Sequence, residues 1–489
     1  MNKPIFRLYA FVLLLFAGLV AFTSRWAVLE ADELRHHPQN ARPLIEEQQI
    51  ARGSISSSDG VLIAESVGRG RGPNRVYVRR YPQGPLFGNP VGYSYADVDR
   101  VGIELSLNDL LTGEDNEFAT LIDQILNRTR AGADVTLTLD ADAQRVAMDA
   151  LQQAIASTPG ATGGGSVVAI EPSTGAVRVM ASVPTFDPNG LQDEGVFQEL
   201  SEQGVSGPLF NRPTQATYEP GSTMKVVTAV AAIDSGEFDP STVLNADSPK
   251  EISGAPLANS GGQSFGDIDM ETALTNSVNT YWAQVGEALG ADTYIEYMKR
   301  FGFYKDPPLD FPDNQMAPSG VYSKGKLIDD AGVIDIGRVA IGQERLLVTP
   351  LQMAQVAAAV ANDGKLMKPT FLQEARDPDG RVIEELDPDE QSRVMSEETA
   401  EAVTQMMVNV ANEGTASGLR TSAGQLAGKT GTAEIDVEQR INRPWFIGFA
   451  PAEDPQVAVA VMLERCTGCF GGQVAGPIAT KVMDALTGG

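Results

Sequence analysis

In "YEPGSTMKVVTA", Ser222 and Lys225 stand three residues apart, and the lysine is the lone charge in an apolar run. Lysine is rarely buried, because an unpaired ammonium in low dielectric is costly. Either it reaches back to water or its charge is managed for chemistry. Pro220-Gly221 interrupts the chain just before the run, and Asp234-Ser235-Gly236 terminates it. This predicts a helix of about three turns with Ser222 at its first turn and Lys225 on the same face. Free backbone N–H groups and the positive dipole end favour an anionic oxygen there. Met224, Val226, Val227 and Val230 would desolvate the amine and lower its pKa. A neutral amine beside a hydroxyl can take its proton, so the pair reads as a serine nucleophile with a lysine base. The plain alternative is an N-cap serine and a snorkelling lysine.

Histidine cannot do this work. The chain has two, His36 and His37, adjacent and close to an apolar N-terminal run. No Ser-His-Asp triad and no histidine-based metal site can be assembled in the remaining body. No metal and no cofactor is expected.

Two further motifs come later in the chain: "SVN" at Ser277 to Asn279, in an expected break between helices, and "KTG" at Lys429 to Gly431, on an expected strand. Singly they are weak, since "SKGK" (Ser323 to Lys326) and "SLN" (Ser106 to Asn108) also occur. A helix-borne SxxK, an SxN in a break and a strand-borne KTG, in that order, are the arrangement of serine β-lactamases and penicillin-binding proteins, with SDN as the usual middle element.

Here the chain resembles the class B penicillin-binding proteins, monofunctional peptidoglycan transpeptidases, and above all their short actinobacterial-type members. "RGSISSSDGVLIA" is similar to the family's pedestal motif, with Ser57 and Ser58 where Asp-Arg is more usual. "RRYPQGPLFGNPVGYS", "GIELSLNDLLTG", "IGQERLLVTPLQMA", "GKTGTAE" and "WFIGFAP" also match. The resemblance implies that Ser222 is acylated with Lys225 as base, that Ser277 relays protons, and that Asn279 orients the substrate amide. It implies that Lys429 supplies positive charge within the Lys429-Thr430-Gly431 motif, and that the Thr430 and Thr432 hydroxyls hold the terminal carboxylate. The backbone N–H groups of Ser222 and Thr432 would form the oxyanion hole. The implied partners are stem peptides ending in D-Ala-D-Ala, β-lactams, the membrane and a polytopic glycosyltransferase. A β-lactamase or DD-carboxypeptidase would use the same residues with water as acceptor. A non-enzymatic β-lactam sensor would want more membrane spans or a cytoplasmic module.

The elements that must position these residues can be read in outline. At 489 residues several domains are expected. Residues 1–26 read as a cytoplasmic tip and membrane anchor, 27–135 as a non-catalytic pedestal, and 136–489 as the transpeptidase domain. Residues 27 to 50 read as a mixed-charge helical stalk and 117 to 128 as helical. A strand pair turns at Asp59-Gly60, and a strand with a Gly/Pro-rich loop comes next. No compact apolar core stands out before residue 135. Beyond it come a strand, an Asp140 start signal and an amphipathic helix, then the hairpin "GSVVAIEPSTGAVRVMAS". Residues 271–300 and 349–364 are expected helical, succeeded by the strands "QLAGKTGTAEI", "RPWFIGFAP" and "VAVAVMLE" and a closing helix "GPIATKVMDAL". The expected architecture is multidomain: a transmembrane helix, a small β-rich α+β pedestal, and an α/β domain with an antiparallel sheet flanked by helices. Trp445 and Phe446 are expected in its core.

Leu8 to Phe22 carries no charge and lies just after Lys3 and Arg7. Extended to Ile5–Ser24 it is long enough to span a bilayer, with a cytoplasmic N-terminus. A cleaved signal peptide is the rival, without a small-x-small cleavage site near Ala21. Both readings put the residues after Trp26 outside the cytoplasm. There, Cys466 and Cys469 of "CTGC" could form a local disulfide or remain free thiols; one CxxC offers too few ligands for zinc. The net charge of -27 argues against nucleic acid as a partner.

Overall fold

The structure, a computed structural model, describes residues 3–25, 48–71, 75–113 and 131–488. His36, His37, the expected helix at 117–128 and most of the expected stalk lie outside them. Lys3–Ser24 is a 22-residue helix with no buried side chain. At about 1.5 Å per residue it matches the hydrocarbon thickness of a bilayer.

The catalytic body is built on a five-stranded antiparallel sheet. Its strand order is Ala427–Asp436, Ile441–Ala450, Val457–Thr467, Thr162–Ile170 and Val177–Val183. The early hairpin thus joins the three late strands edge to edge through Val457–Thr467. The middle strands are buried on both faces, Trp445 and Phe446 included, which explains their nearly unbroken apolar sequence. Helices Ala141–Ser157 and Gly471–Thr487 pack on each other and on the sheet, and Pro350–Ala361 packs on its central strands. Their starts obey the local chemistry: the Asp140 carboxylate accepts from Ala143 N, and Thr349 caps a helix with Pro350 at its first position. A helical lobe of Lys225–Asp234, Met270–Thr275, Asn279–Arg300 and Glu397–Asn412 abuts the Ala427–Asp436 edge. The long helix is interrupted at Gly290 (φ 75°).

The pedestal differs from its sequence reading in two ways. Its Gly/Pro-rich loop is a pair of short helical turns, Gly84–Phe87 and Gly88–Val91. Its strands also belong to a six-stranded sheet ordered Val382–Glu385, Leu372–Arg376, Asp134–Leu137, Ile55–Ser56, Leu62–Arg69, Val76–Arg80. Two of those strands come from deep in the catalytic half of the chain. Pedestal residues Ile55, Ile63, Tyr81 and Phe87 join one continuous core with the catalytic body, so the apolar core absent from the local sequence is shared. A buried charge cluster sits there too. Glu104 accepts from Arg52 at 2.9 Å, Arg79 at 2.6 Å and the Tyr81 hydroxyl at 3.2 Å. Burial pushes its carboxyl up, but the two guanidiniums prevail and hold it below the ordinary carboxylate value.

Candidate active site

Ser222 lies in a single 3-10 turn, Gly221–Met224, that leads directly into the α-helix Lys225–Asp234. Gly221 is left-handed (φ 54°), and a Cβ there would come within 3.1 Å of Thr432 C and Ala433 N. Gly431 faces the turn from the strand, and a Cβ on it would lie 2.8 Å from Pro220 O. These two glycines let the Ser222 turn press directly against the Lys429–Thr432 strand.

Ser277 joins them from the break between Met270–Thr275 and Asn279–Arg300. It is a non-glycine residue in left-handed backbone (φ 58°), a conformation that costs free energy and recurs at functional sites. Its polar contacts are dense. Lys225 Nζ lies 2.7 Å from Ser277 O, 2.7 Å from Asn279 Oδ1 and 3.2 Å from Ser277 Oγ. Lys429 Nζ donates to Ser277 Oγ at 3.0 Å and to Thr430 O at 2.9 Å. One serine hydroxyl therefore bridges two fully buried lysines.

Among the described residues, neither lysine hydrogen-bonds a carboxylate. Burial, then the neighbouring Lys429, pulls Lys225 well below the ordinary lysine value. Burial alone pushes Lys429 down to about 7. The two short contacts of Lys225 go to atoms that can only accept, a carbonyl and a carboxamide oxygen. A neutral amine satisfies both with its two N–H groups and keeps its lone pair for a hydroxyl. Ser222 is half-buried, and its hydroxyl has no hydrogen-bond partner among the described residues. The lysine faces Ser277 and Asn279 rather than being tied to Ser222, which the sequence pairing alone did not reveal.

Thr430 places its hydroxyl 2.6 Å from that of Thr415, and Gly471 N approaches Thr432 Oγ1 at 3.4 Å. Asn279 is occupied on both ends, its Nδ2 donating to Ala258 O at 3.1 Å. Cys466 and Cys469 are joined sulfur to sulfur, Cα atoms 5.9 Å apart, just before the helix whose first residue is Gly471. The competing motif matches serve elsewhere: Asn108 accepts from Arg52, Ser106 donates to Asp310 O, and Ser323 and Lys326 pair in a hairpin. Of the acidic residues before the Ser277 wall, Asp269 caps its helix and Asp267 accepts from Asn245. Neither these nor Glu271 hydrogen-bonds Ser222, Lys225 or Ser277.

A model of the penicillin-binding protein transpeptidase domain matches residues 165–484, and one of the penicillin-binding protein A dimerisation domain matches residues 52–135. This chain is a penicillin-binding protein of the class B transpeptidase family. It is 34% identical to the peptidoglycan D,D-transpeptidase PbpA of Mycolicibacterium smegmatis over 99% of both chains, and 33% identical to PbpA of Mycobacterium tuberculosis over the full length of both. Among solved structures, a ceftriaxone acyl-enzyme complex of penicillin-binding protein A from M. tuberculosis superposes with a TM-score of 0.79 at 32% identity, covering 90% of this chain and 99% of that one. A D,D-transpeptidase domain from Eggerthella lenta gives 0.75 at 29% identity, covering 89% and 98%.

This penicillin-binding protein also has a supporting network that the sequence motifs did not show. Glu464 accepts from Arg212 Nε at 2.8 Å, from the Tyr218 hydroxyl at 2.8 Å and from Gly164 N at 2.6 Å. Arg443 pairs with Glu219 and lies 4.8 Å from the centre of the Tyr218 ring, while Trp445 Nε1 donates to Glu219 O. Tyr218 and Glu219 are thus clamped immediately before Ser222. The sequence signal was a charged residue, Glu464, directly after the apolar run of its strand. Thr415 was missed as well; it lies in a Gly-containing turn, where nothing in the local pattern points to the Thr430 hydroxyl.

Proposed function

We propose that this chain cross-links peptidoglycan as a membrane-anchored D,D-transpeptidase, with Ser222 as nucleophile and Lys225 as general base. The observation that carries this reading is the Lys225 amine, buried, short of counter-charge and held three residues from Ser222 against the Ser277 wall. Ser222 Oγ attacks the penultimate D-Ala carbonyl and passes its proton to Lys225. The N–H groups of Ser222 and Thr432 receive the developing oxyanion. When the C–N bond breaks, the terminal D-Ala leaves with a proton relayed through Ser277, whose hydroxyl touches both lysines. An amine from a second stem peptide then attacks the ester, and Ser222 regains its proton. Lys429, with the Thr430 and Thr432 hydroxyls, holds the terminal carboxylate; that anion supplies the counter-charge Lys429 lacks. Asn279 orients the substrate amide once Lys225 releases its oxygen, and Gly431 keeps the strand close to the nucleophile turn.

Lys3 and Arg7 favour a cytoplasmic N-terminus, and in the orientation we infer the catalytic body lies outside the cytoplasm. In the domain scheme we infer, the anchor is 1–26, the pedestal 27–135 and the catalytic domain 136–489, and a polytopic glycosyltransferase makes the strands that are cross-linked. Against water as the acceptor stands the absence of a hydrogen bond from Asp267, Asp269 or Glu271 to Ser222, Lys225 or Ser277 among the described residues.

The test is intact mass after incubation with penicillin. The expected result is one adduct per chain, stable for many minutes and absent from Ser222→Ala. Rapid turnover of penicillin would overturn the transpeptidase reading in favour of a β-lactamase.

A further inference from the structure

A cavity of about 380 Å³ opens where the pedestal meets the catalytic body. Its walls come from the pedestal turn at Gly88 to Val101, from the 186–215 segment that leads into the nucleophile turn, and from Asn314-Gln315. Tyr93, Phe186, Phe197 and Phe210 line it, with the Tyr93 ring edge-to-face against Phe186 at 6.0 Å and Phe197 at 6.2 Å. Phe197 and Phe210 are only half-buried, so ring surface remains for a ligand.

The rest of the lining is rich in carboxamides, and no charged side chain takes part. Asn211 is buried; its Nδ2 donates to Thr214 Oγ1 at 3.0 Å, but its fully enclosed Oδ1 has no donor. Gln215 and Gln315 each use Oε1, accepting from Asn211 N and Gly102 N, and their Nε2 groups make no hydrogen bond among the described residues. The cavity therefore offers aromatic faces and spare amide donors, with nothing to neutralise an ion.

We propose that this cavity is a subsite for the neutral N-acetylated sugars of the glycan strand that carries the stem peptides. Aromatic faces take the C–H faces of pyranose rings, and the Gln215 and Gln315 amides donate to hydroxyl or acetamido oxygens. The stem peptides themselves carry carboxylates, which an uncharged cavity in a chain of net charge -27 disfavours. Sugar binding here would spend remote binding energy on aligning the donor strand with Ser222, since the Asn211–Gln215 wall continues into the nucleophile segment. The subsite rests on the reading of this chain as a peptidoglycan transpeptidase.

The test uses the full chain in detergent, saturation-transfer NMR with a peptide-free N-acetylglucosamine tetrasaccharide, and penicillin acylation measured on the same samples. Saccharide contact should persist after penicillin has blocked Ser222. The double variant Phe197→Ala/Asn314→Ala, which removes an open ring and an exposed amide, should weaken it about tenfold while acylating normally. Ser201→Trp, at an exposed position on the cavity wall, should block it independently. No saccharide contact in the unsubstituted protein, or equal contact in properly acylating variants, would overturn the subsite alone. Failure of the unsubstituted protein to acylate would overturn the transpeptidase reading alone, because saccharide contact is read separately.

Discussion

Ser277 concentrates the chemistry of the site in one strained residue. Its left-handed backbone turns both its carbonyl and its hydroxyl toward Lys225, and the hydroxyl also meets Lys429. With Lys225 as the proposed base, acylation requires its neutral amine, and burial has lowered its pKa well below the ordinary lysine value. The acylation rate should therefore fall with decreasing pH through an acid limb far below the normal lysine range. Lys225→Ala should remove that limb and slow acylation at least ~100-fold; a rapid, pH-independent reaction in this variant would place the base elsewhere. Lys429 gives an opposite signature in stability. Its folded pKa is about 7, below its unfolded value, so in between the unfolded chain holds the extra proton. Stability from this site is lowest below pH 7 and rises as pH climbs toward the unfolded value. Lys429→Met removes the buried ammonium. It should raise Tm most at about pH 6 and progressively less toward pH 10, while abolishing acylation. An equal or reversed Tm shift across that range would mean that burial does not govern this lysine.

At the scale of elements, a 3-10 turn and a strand edge define the cleft, and a clamp behind them holds the turn in place. The Tyr218 hydroxyl reaches Glu464 on the Val457–Thr467 strand, and its backbone bridges to Val348. Burial, then Glu464, pushes the Tyr218 phenol up, so it remains a donor at working pH. Tyr218→Phe deletes that one hydrogen bond and keeps the ring against Arg443 and Trp445. The expected loss is about 1 kcal/mol of stability. Acylation should slow roughly tenfold as the nucleophile turn loosens. Acylation at the normal rate alongside the stability loss would reduce the clamp to a purely structural role.

Across the whole molecule, pedestal and catalytic body are tied by one sheet. Asp134–Leu137 pairs in parallel with Ile55–Ser56 on one side and antiparallel with Leu372–Arg376 on the other. Asp310 strengthens the join: its half-buried carboxylate accepts from Phe371 N, Leu372 N and Thr370 Oγ1. The pedestal should therefore melt together with the catalytic body. Glu104→Gln leaves two buried guanidiniums short of counter-charge and should cost about 3–5 kcal/mol. Calorimetry should show a single transition, shifted down in this variant, with penicillin acylation lost in step. Two resolved transitions, only one of them shifted, would show that the pedestal unfolds on its own.

The sequence by itself determined the family and the local elements that carry the candidate residues. Ser222 and Lys225 on one helical turn, Ser277 in a helix break, Lys429 on a strand and the apolar N-terminal helix are all short-range patterns, written within a few residues of one another. Histidine supply excluded a triad by counting alone. What only the tertiary structure decided depends on contacts between distant residues. Glu104 finds Arg52 and Arg79, and Glu464 finds Tyr218, across separations that no periodicity encodes. The strands Leu372–Arg376 and Val382–Glu385 complete the pedestal sheet because edge pairing is a property of where the chain returns, not of its local pattern. The turn of Lys225 toward Ser277 and Asn279 has the same origin. A buried amine takes its hydrogen bonds from whatever acceptors packing brings to it, and those came from another helix boundary.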